Sequence, residues 1–305
     1  ILACGGDTFI PADGDNTGVY EGEYLNSLVI NTMSDFNAIK LWASLGNLSA
    51  STIKDKINSG VGFVDFSGHG NRLEWATHPP LGGKYDWIEY RMAHISQLSN
   101  GDKLPVVVID ACSCGRFDSG DCFAWKFVEK SGGGAIASLA SSGIGYGTYG
   151  RHTRFLGWME VYFFKYYKQG NEIIGDIWVN SINGYVNFFH TDMADVKTAE
   201  EWMLFGDPTL KIGGYESEEA VIYIDKPLDG YLYLANRQIM PTLFGKTIII
   251  GKINVEVSAY NVEKVEFYIN NELKYTDDSE PYEWLWDELA IGTVSYTHLT
   301  LPTKA

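Results

Sequence analysis

From Ile1 to about residue 214, short unbroken apolar runs alternate with segments whose apolar residues return every three or four positions. The runs are Ile1–Gly6, Ala38–Ser44, Gly60–Phe66, Leu104–Ala111 and Gly134–Ser141. Such runs, rich in Val, Ile and Ala and bounded by Gly or Pro, predict strands buried on both faces of a sheet. The intervening periodicity predicts helices over Glu23–Met33, Ser51–Asn58 with Ser51 or Thr52 as its cap, Phe123–Lys130 and Arg154–Gln169. A short helix is expected near Arg91–Leu98, and Trp75–Trp87 reads as a Trp-rich loop. Strand and helix in steady succession predict an α/β unit with a mainly parallel sheet.

Beyond Asp207-Pro208 the pattern changes. Glu216–Glu219 reads as an acidic linker, followed by the short runs VIYID, YLYLA, TIIIG, INVEVSA, VEKVEFYIN and KYTDD with turn residues between them. Val255 and Val257 alternate with Glu256 and Ser258, the mark of antiparallel strands with one wet face, so a β-sandwich is expected. Its final strand is missing from the pattern after Trp286-Asp287. Val294–Ala305 does not supply it and reads as a non-native tail. The expected division is therefore 1–214, 220–293 for an incomplete sandwich, and 294–305 for the tail.

Composition narrows the function. An apolar content of 45% over 305 residues supports a large core, and a net charge of -16 opposes binding to nucleic acid or an anionic membrane. The sequence holds no run of about 18 apolar residues, so no membrane-spanning helix is expected. Four Cys in this length do not make a disulfide scaffold. The chain opens at Ile1 inside a strand-like run, and is read as a piece of a longer protein whose earlier part would carry any signal or propeptide.

Two of the buried-type runs end in reactive side chains. GVGFVDF leads into Ser67-Gly68-His69-Gly70, and LPVVVIDA leads into Cys112-Ser113-Cys114. Side chains that follow parallel strands collect at the carboxyl edge of the sheet, where α/β folds place ligands. A thiol and an imidazole meeting there suit a cysteine hydrolase, because the thiolate attacks and the imidazole protonates the leaving amine. Glycine on either side of His69 leaves room for close approach and the Gly70 amide free to donate.

The ordered stretches FSGHGN, DACSCGRF, CFAWKFVEKSGGGAIASLASSGIGYG and LFGDPTLKIGG resemble the gingipain-type cysteine peptidases, family C25, in the clan that also holds caspases, legumain and clostripain. The resemblance implies a caspase-like three-layer α/β sandwich, with His69 as general acid/base and Cys112 as nucleophile. It also implies an oxyanion hole from the amides of Gly70 and Cys112. Cys114 departs from the family pattern. It is the rival nucleophile, and it either pairs with Cys122 or stays a buried thiol beside it. Glu23, or else Glu21, stands in the region that supplies a carboxylate to orient the imidazole.

Ser141 and Ser142, at the end of the strand after the Cys, match the position that lines the pocket for the residue before the scissile bond. Asp86, Asp118 and Asp121 are loop acids that meet either a basic substrate side chain or solvent. Asp13–Gly18 has the opening spacing of a calcium loop, but Tyr24 stands where the bidentate Glu belongs, so an Asx turn is preferred. Calcium is left open, and no cofactor is required. His78, His94, His152 and His190 lack paired metal-ligand spacing.

By resemblance the chain is an extracellular or cell-surface endopeptidase acting on polypeptides through a Cys-His dyad and an acyl-enzyme. Alternatives are a sortase-like transpeptidase and a non-catalytic surface-binding protein. The second unit resembles the immunoglobulin-like modules of exported bacterial and archaeal enzymes. Oligomeric state is open.

Overall fold

The computed structural model describes residues 1–189, 192–212, 221–242, 246–260, 262–288 and 296–302. The chain forms two compact units, Ile1–Tyr215 and Glu216–Ala305. The acidic linker Glu216–Glu219 and His190 lie outside the described residues.

In the first unit the elements run β1 (Leu2–Gly5), α1 (Glu21–Thr32), β2 (Ile39–Trp42), α2 (Ala50–Ser59), β3 (Phe63–Ser67), β4 (His69–Asn71), β5 (Glu74–Thr77), β6 (Ile88–Arg91), α3 (Met92–Ile95), β7 (Val106–Asp110), α4 (Phe123–Glu129), β8 (Ala137–Ser141), α5 (Leu156–Lys168), α6 (Ile174–Phe188), α7 (Met193–Glu201) and β9 (Trp202–Phe205). The central sheet has the order β2-β1-β3-β7-β8-β9. Its first five strands are parallel, and β9 closes the edge antiparallel to β8.

Because side chains alternate across a strand, each apolar run feeds two cores. Leu2, Cys4, Val64, Phe66, Val107 and Ile109 pack toward α2, α3 and α4. Ile1, Phe63, Val106, Val108 and Leu139 pack toward α1, α5 and α6. Helices on both faces make the caspase-like three-layer α/β sandwich.

The chain departs from the sequence expectations in two places. Helix α2 is capped by Ser49, not by Ser51 or Thr52. The Ser49 hydroxyl accepts the Thr52 N–H at 3.2 Å, and the Thr52 hydroxyl accepts the Ser49 N–H at 3.0 Å. Ser51 and Thr52 are already inside the first turn, where Thr52 completes a capping box. The segment Trp75–Trp87 is not a plain loop. It contributes parts of β5, which pairs with β4 and β6 as a small antiparallel sheet that buries Trp75 and Tyr90 against the core. Among the described residues no helix is long and apolar enough to cross a membrane.

The second unit contains β10 (Val221–Lys226), β11 (Tyr231–Leu234), β12 (Arg237–Pro241), β13 (Ile248–Ile250), β14 (Ile253–Tyr260), β15 (Val262–Ile269), β16 (Glu272–Asp277), β17 (Tyr282–Trp286) and β18 (Tyr296–Pro302). Val255 and Val257 are buried with Phe267, Tyr282 and Trp286, as the alternation predicts for an immunoglobulin-like β-sandwich. The segment set aside as a tail supplies β18, which pairs antiparallel with β15. Edge pairing uses backbone N–H and C=O groups, so it needs no side-chain alternation and is silent on the origin of that segment.

Candidate active site

The strand order turns back at β1. The chain steps outward to β2 and then returns to build β3, β7, β8 and β9 on the other side. The loops leaving β1 and β3 therefore separate and open a crevice at the carboxyl edge, the place where doubly wound sheets bind ligands. Thr8 and Phe9 follow β1, His69 follows β3, and Cys112 follows β7. All four line one cleft, together with Glu21, Asp110, Gly145–Thr148 and His152.

His69 is held by backbone. Its Nε2 lies 2.5 Å from the Thr8 carbonyl oxygen, which only accepts, so the Nε2 carries the proton and Nδ1 is the basic nitrogen. Phe9 and Trp87 stand edge-on to the ring, with centroids 6.2 and 5.3 Å away. Burial pulls the imidazole below its ordinary pKa, partly offset by the Thr8 bond.

Cys112 is half-buried. Its thiol points to the Gly145 carbonyl at 3.6 Å, and burial holds it above the ordinary thiol pKa. The resting pair is thus a neutral thiol and a neutral imidazole. Ser113 follows at a φ of 55°, a strained left-handed value for a non-glycine residue, and its amide donates to Gly143 at 2.7 Å. That turn folds the chain away directly after the thiol.

All four cysteines are free. Cys114 and Cys122 are fully buried thiols rather than a bridge, and Cys114 faces the Glu74 carbonyl at 3.5 Å, away from the cleft lining. The flanking glycines answer to close contacts. A Cβ on Gly70 would lie 2.5 Å from the Cys114 sulfur, and one on Gly68 would lie 2.8 Å from the Ala76 carbonyl. In the two-residue hairpin between β4 and β5 the closing pair, Asn71 and Glu74, exchanges hydrogen bonds and the next pair, Gly70 and Trp75, does not. The Gly70 amide is therefore not used by β5.

The two candidate glutamates part company. Glu23 accepts from the Ser44 amide at 2.8 Å and the Ser44 hydroxyl at 2.6 Å, and is not among the cleft-lining residues. Glu21 is in the cleft, where its carboxylate accepts the Phe9 and Gly150 amides. Ser141 is fully buried and bonded to Gly143, and the Ser142 amide donates to Glu201. The cleft wall comes instead from Gly145 to Thr148, just downstream. Exposed Asp118 pairs with Arg116, and Asp86 caps its own loop at the Gly83 amide. Asp13–Gly18 is an Asx turn closed by Thr17 onto Asp15. Among the described residues no three His, Cys, Asp or Glu side chains are grouped to hold a metal.

Beneath the cleft lies a buried polar cluster that the motifs did not flag. Ser67 and Asp110 stand two residues before His69 and Cys112, on the face opposite Phe66 and Ile109. The Ser67 hydroxyl lies 3.3 Å from Asp110 and 3.2 Å from Glu160 of α5, and Asn26 of α1 donates to Asp65 at 2.8 Å. Burial raises all three acids, Asp65 to about 7 and Asp110 to about 6, and Glu160 is pushed up further by the other two. The visible signal was an Asp in each Val-rich strand and a Glu in the middle of an aromatic helix.

The family model for peptidase family C25 matches residues 1–213. The chain belongs to peptidase family C25. A model for a bacterial Ig domain matches residues 245–297 of the same chain. Gingipain R2 of Porphyromonas gingivalis is 26% identical over 166 residues, which covers 52% of this chain and 21% of that protein. Gingipain R1 of the same organism is also 26% identical over 166 residues, 15% of its length. This C25 chain thus spans about a fifth or less of the length of these relatives. The crystal structure of the Arg-specific cysteine proteinase gingipain R shares the fold, with a TM-score of 0.54 and 17% identity over 98% of this chain and 66% of that one. The complex of the gingipain pro- and mature domains gives a TM-score of 0.53 at 16% identity.

Proposed function

We propose that this C25 chain is a cysteine endopeptidase in which Cys112 is the nucleophile and His69 the general acid/base. The observation that carries the reading is that both side chains line one cleft while a backbone carbonyl fixes the imidazole tautomer with Nδ1 basic. The Cys112 thiol gives its proton to Nδ1 as its sulfur bonds to the scissile carbonyl carbon. The amides of Gly70 and Cys112 hold the developing oxyanion, and the imidazolium returns the proton to the departing amine. Water, deprotonated by the same nitrogen, then releases the acyl group as a carboxylic acid.

Domain 1–214 carries this chemistry in our reading, and 220–293 belongs to an appended immunoglobulin-like module. Polypeptides at or outside the cell surface are the substrates, with Gly145–Thr148, just downstream of Ser141 and Ser142, shaping the pocket. Glu23, bonded to Ser44, does not act on the imidazole.

A thiol-directed peptidyl probe at neutral pH tests the assignment. The unmodified chain and Cys114→Ala should be labelled and cleave peptides, and Cys112→Ala should do neither. Equal labelling of Cys112→Ala would overturn the nucleophile. Labelling without cleavage would favour a binding protein, and amide exchange onto an added amine would favour a transpeptidase.

A further inference from the structure

The Thr8–Phe9 peptide joins two residues of the cleft that no side chain connects. A trans peptide is planar, with its C=O and N–H pointing in opposite directions. On one side the Thr8 carbonyl accepts from His69 Nε2 at 2.5 Å. On the other, the Phe9 amide donates to Glu21 Oε2 at 3.3 Å. The second carboxylate oxygen of Glu21, Oε1, accepts the Gly150 amide at 2.8 Å. Glu21 is only 3% exposed and opens α1, where its charge meets the positive end of the helix.

We propose that Glu21 is a positioning residue for His69, acting through the Thr8–Phe9 peptide. A carboxylate on the N–H side polarises the peptide and makes its carbonyl oxygen a better acceptor. The effect reaches Nε2, where it favours the imidazolium that forms as the thiol gives up its proton. It supplies by relay what a carboxylate touching the ring supplies in a Ser-His-Asp arrangement. The same two amide bonds tie the β1 loop to the Gly145–Gly150 loop, where Phe9 also stands edge-on to Tyr149 at 4.8 Å. Glu21 touches neither substrate nor ring.

Other ionisable groups surround the relay. Asp7, Asp13 and Asp15 come from the loop after β1, His78 follows β5, and Asp110, Cys112, His152 and Arg154 belong to the remaining walls. Asp7 also approaches the Phe9 amide, but burial, with Glu21 and Asp15 beside it, pushes it up to about 7. Burial raises Glu21 above its ordinary value too, and its bonds to the Gly150 and Phe9 amides work against that shift in favour of the charged form.

The inference rests on His69 being the working imidazole, and the test reads that ring directly. The full chain is labelled with 15N-histidine, and the His69 titration is followed by NMR in the unmodified protein, Glu21→Gln, Glu21→Asp and Asp7→Asn. Glu21→Gln should lower the His69 midpoint by about one pH unit. It should also lower kcat about 10-fold with KM within about twofold, because the lost interaction is made chiefly in the transition state. Glu21→Asp should recover part of both, and Asp7→Asn should change the midpoint less than Glu21→Gln does.

A folded Glu21→Gln with an unshifted His69 midpoint would overturn the relay, as would an Asp7→Asn effect of equal or larger size. If Glu21→Gln does not fold, an unshifted midpoint in Glu21→Asp does the same. An unmodified chain that cleaves nothing, yet shows the Glu21-dependent titration, would remove the peptidase reading and leave the relay standing.

Discussion

Gly70→Ala tests how the His69 loop is held. The added Cβ would lie 2.5 Å from the Cys114 sulfur, 2.9 Å from the Ala111 Cβ and 3.0 Å from the Cys112 carbonyl oxygen. An ordinary carbon–sulfur contact is about 3.5–4 Å, so something must move by about 1 Å. Cys114 is fully buried and faces the Glu74 carbonyl, so moving its sulfur disturbs that contact. Overpacking of this kind costs about 1–3 kcal/mol, which for a unit of this size lowers Tm by about 2–12 °C. Activity should fall further than stability. On the proposed mechanism the displaced Gly70 amide is an oxyanion donor, and losing one such donor lowers kcat about 100- to 1000-fold.

Differential scanning calorimetry and peptide hydrolysis measure the two effects separately. Adding Cys114→Ala removes the closest of the three contacts, so the double variant should show a coupling of about 1 kcal/mol or more toward recovered stability. The Cys112 carbonyl contact remains, and kcat should recover only in part. A Gly70→Ala protein with unchanged Tm and kcat would refute the account of why glycine stands there.

Two further outcomes concern pH. Burial lowers the His69 pKa and raises that of Cys112, so the resting pair is neutral. On the proposed mechanism kcat/KM should rise as the imidazole loses its proton below pH 6.5 and hold until the thiol ionises above pH 9.0; a rising limb above pH 7 would contradict the neutral pair. Asp65 is raised from 3.8 to about 7 by burial, so the folded chain keeps a proton that the unfolded chain releases over that window. Its neutral form is fully accommodated below pH 3.8, and stability falls as pH rises toward 7. Asp65→Asn should therefore gain on the unmodified protein between pH 4 and pH 8, by up to about 4 kcal/mol in urea unfolding, and a gap that does not change with pH would sink the assignment.

The Val-rich runs before Ser67 and Cys112 were enough to place a His and a Cys at one edge of a parallel sheet. A doubly buried strand leaves a contiguous apolar signature, and the residue that ends it is fixed by counting. The alternation of Val255 and Val257 announced the second unit on the same principle. Helix α2 was equally legible, although its cap was not, because Ser49, Ser51 and Thr52 are all competent caps and only the backbone angles choose Ser49.

Other features depended on tertiary structure. Glu21 and Glu23 are two residues apart on α1, hence about 200° apart around it, and the docking of that helix sends one to the cleft and the other to Ser44. The group that pins His69 is a backbone carbonyl at Thr8, and every residue has one, so no side chain marks it. Ser67 and Glu160 are 93 positions apart. Their meeting follows from α5 crossing β3 and β7, a consequence of strand order. The local period of the chain thus decided which residues are chemical and at which edge they emerge. Which of them touch was left to the order and packing of elements far apart in sequence, since contact energies act through space and the chain records only adjacency along itself.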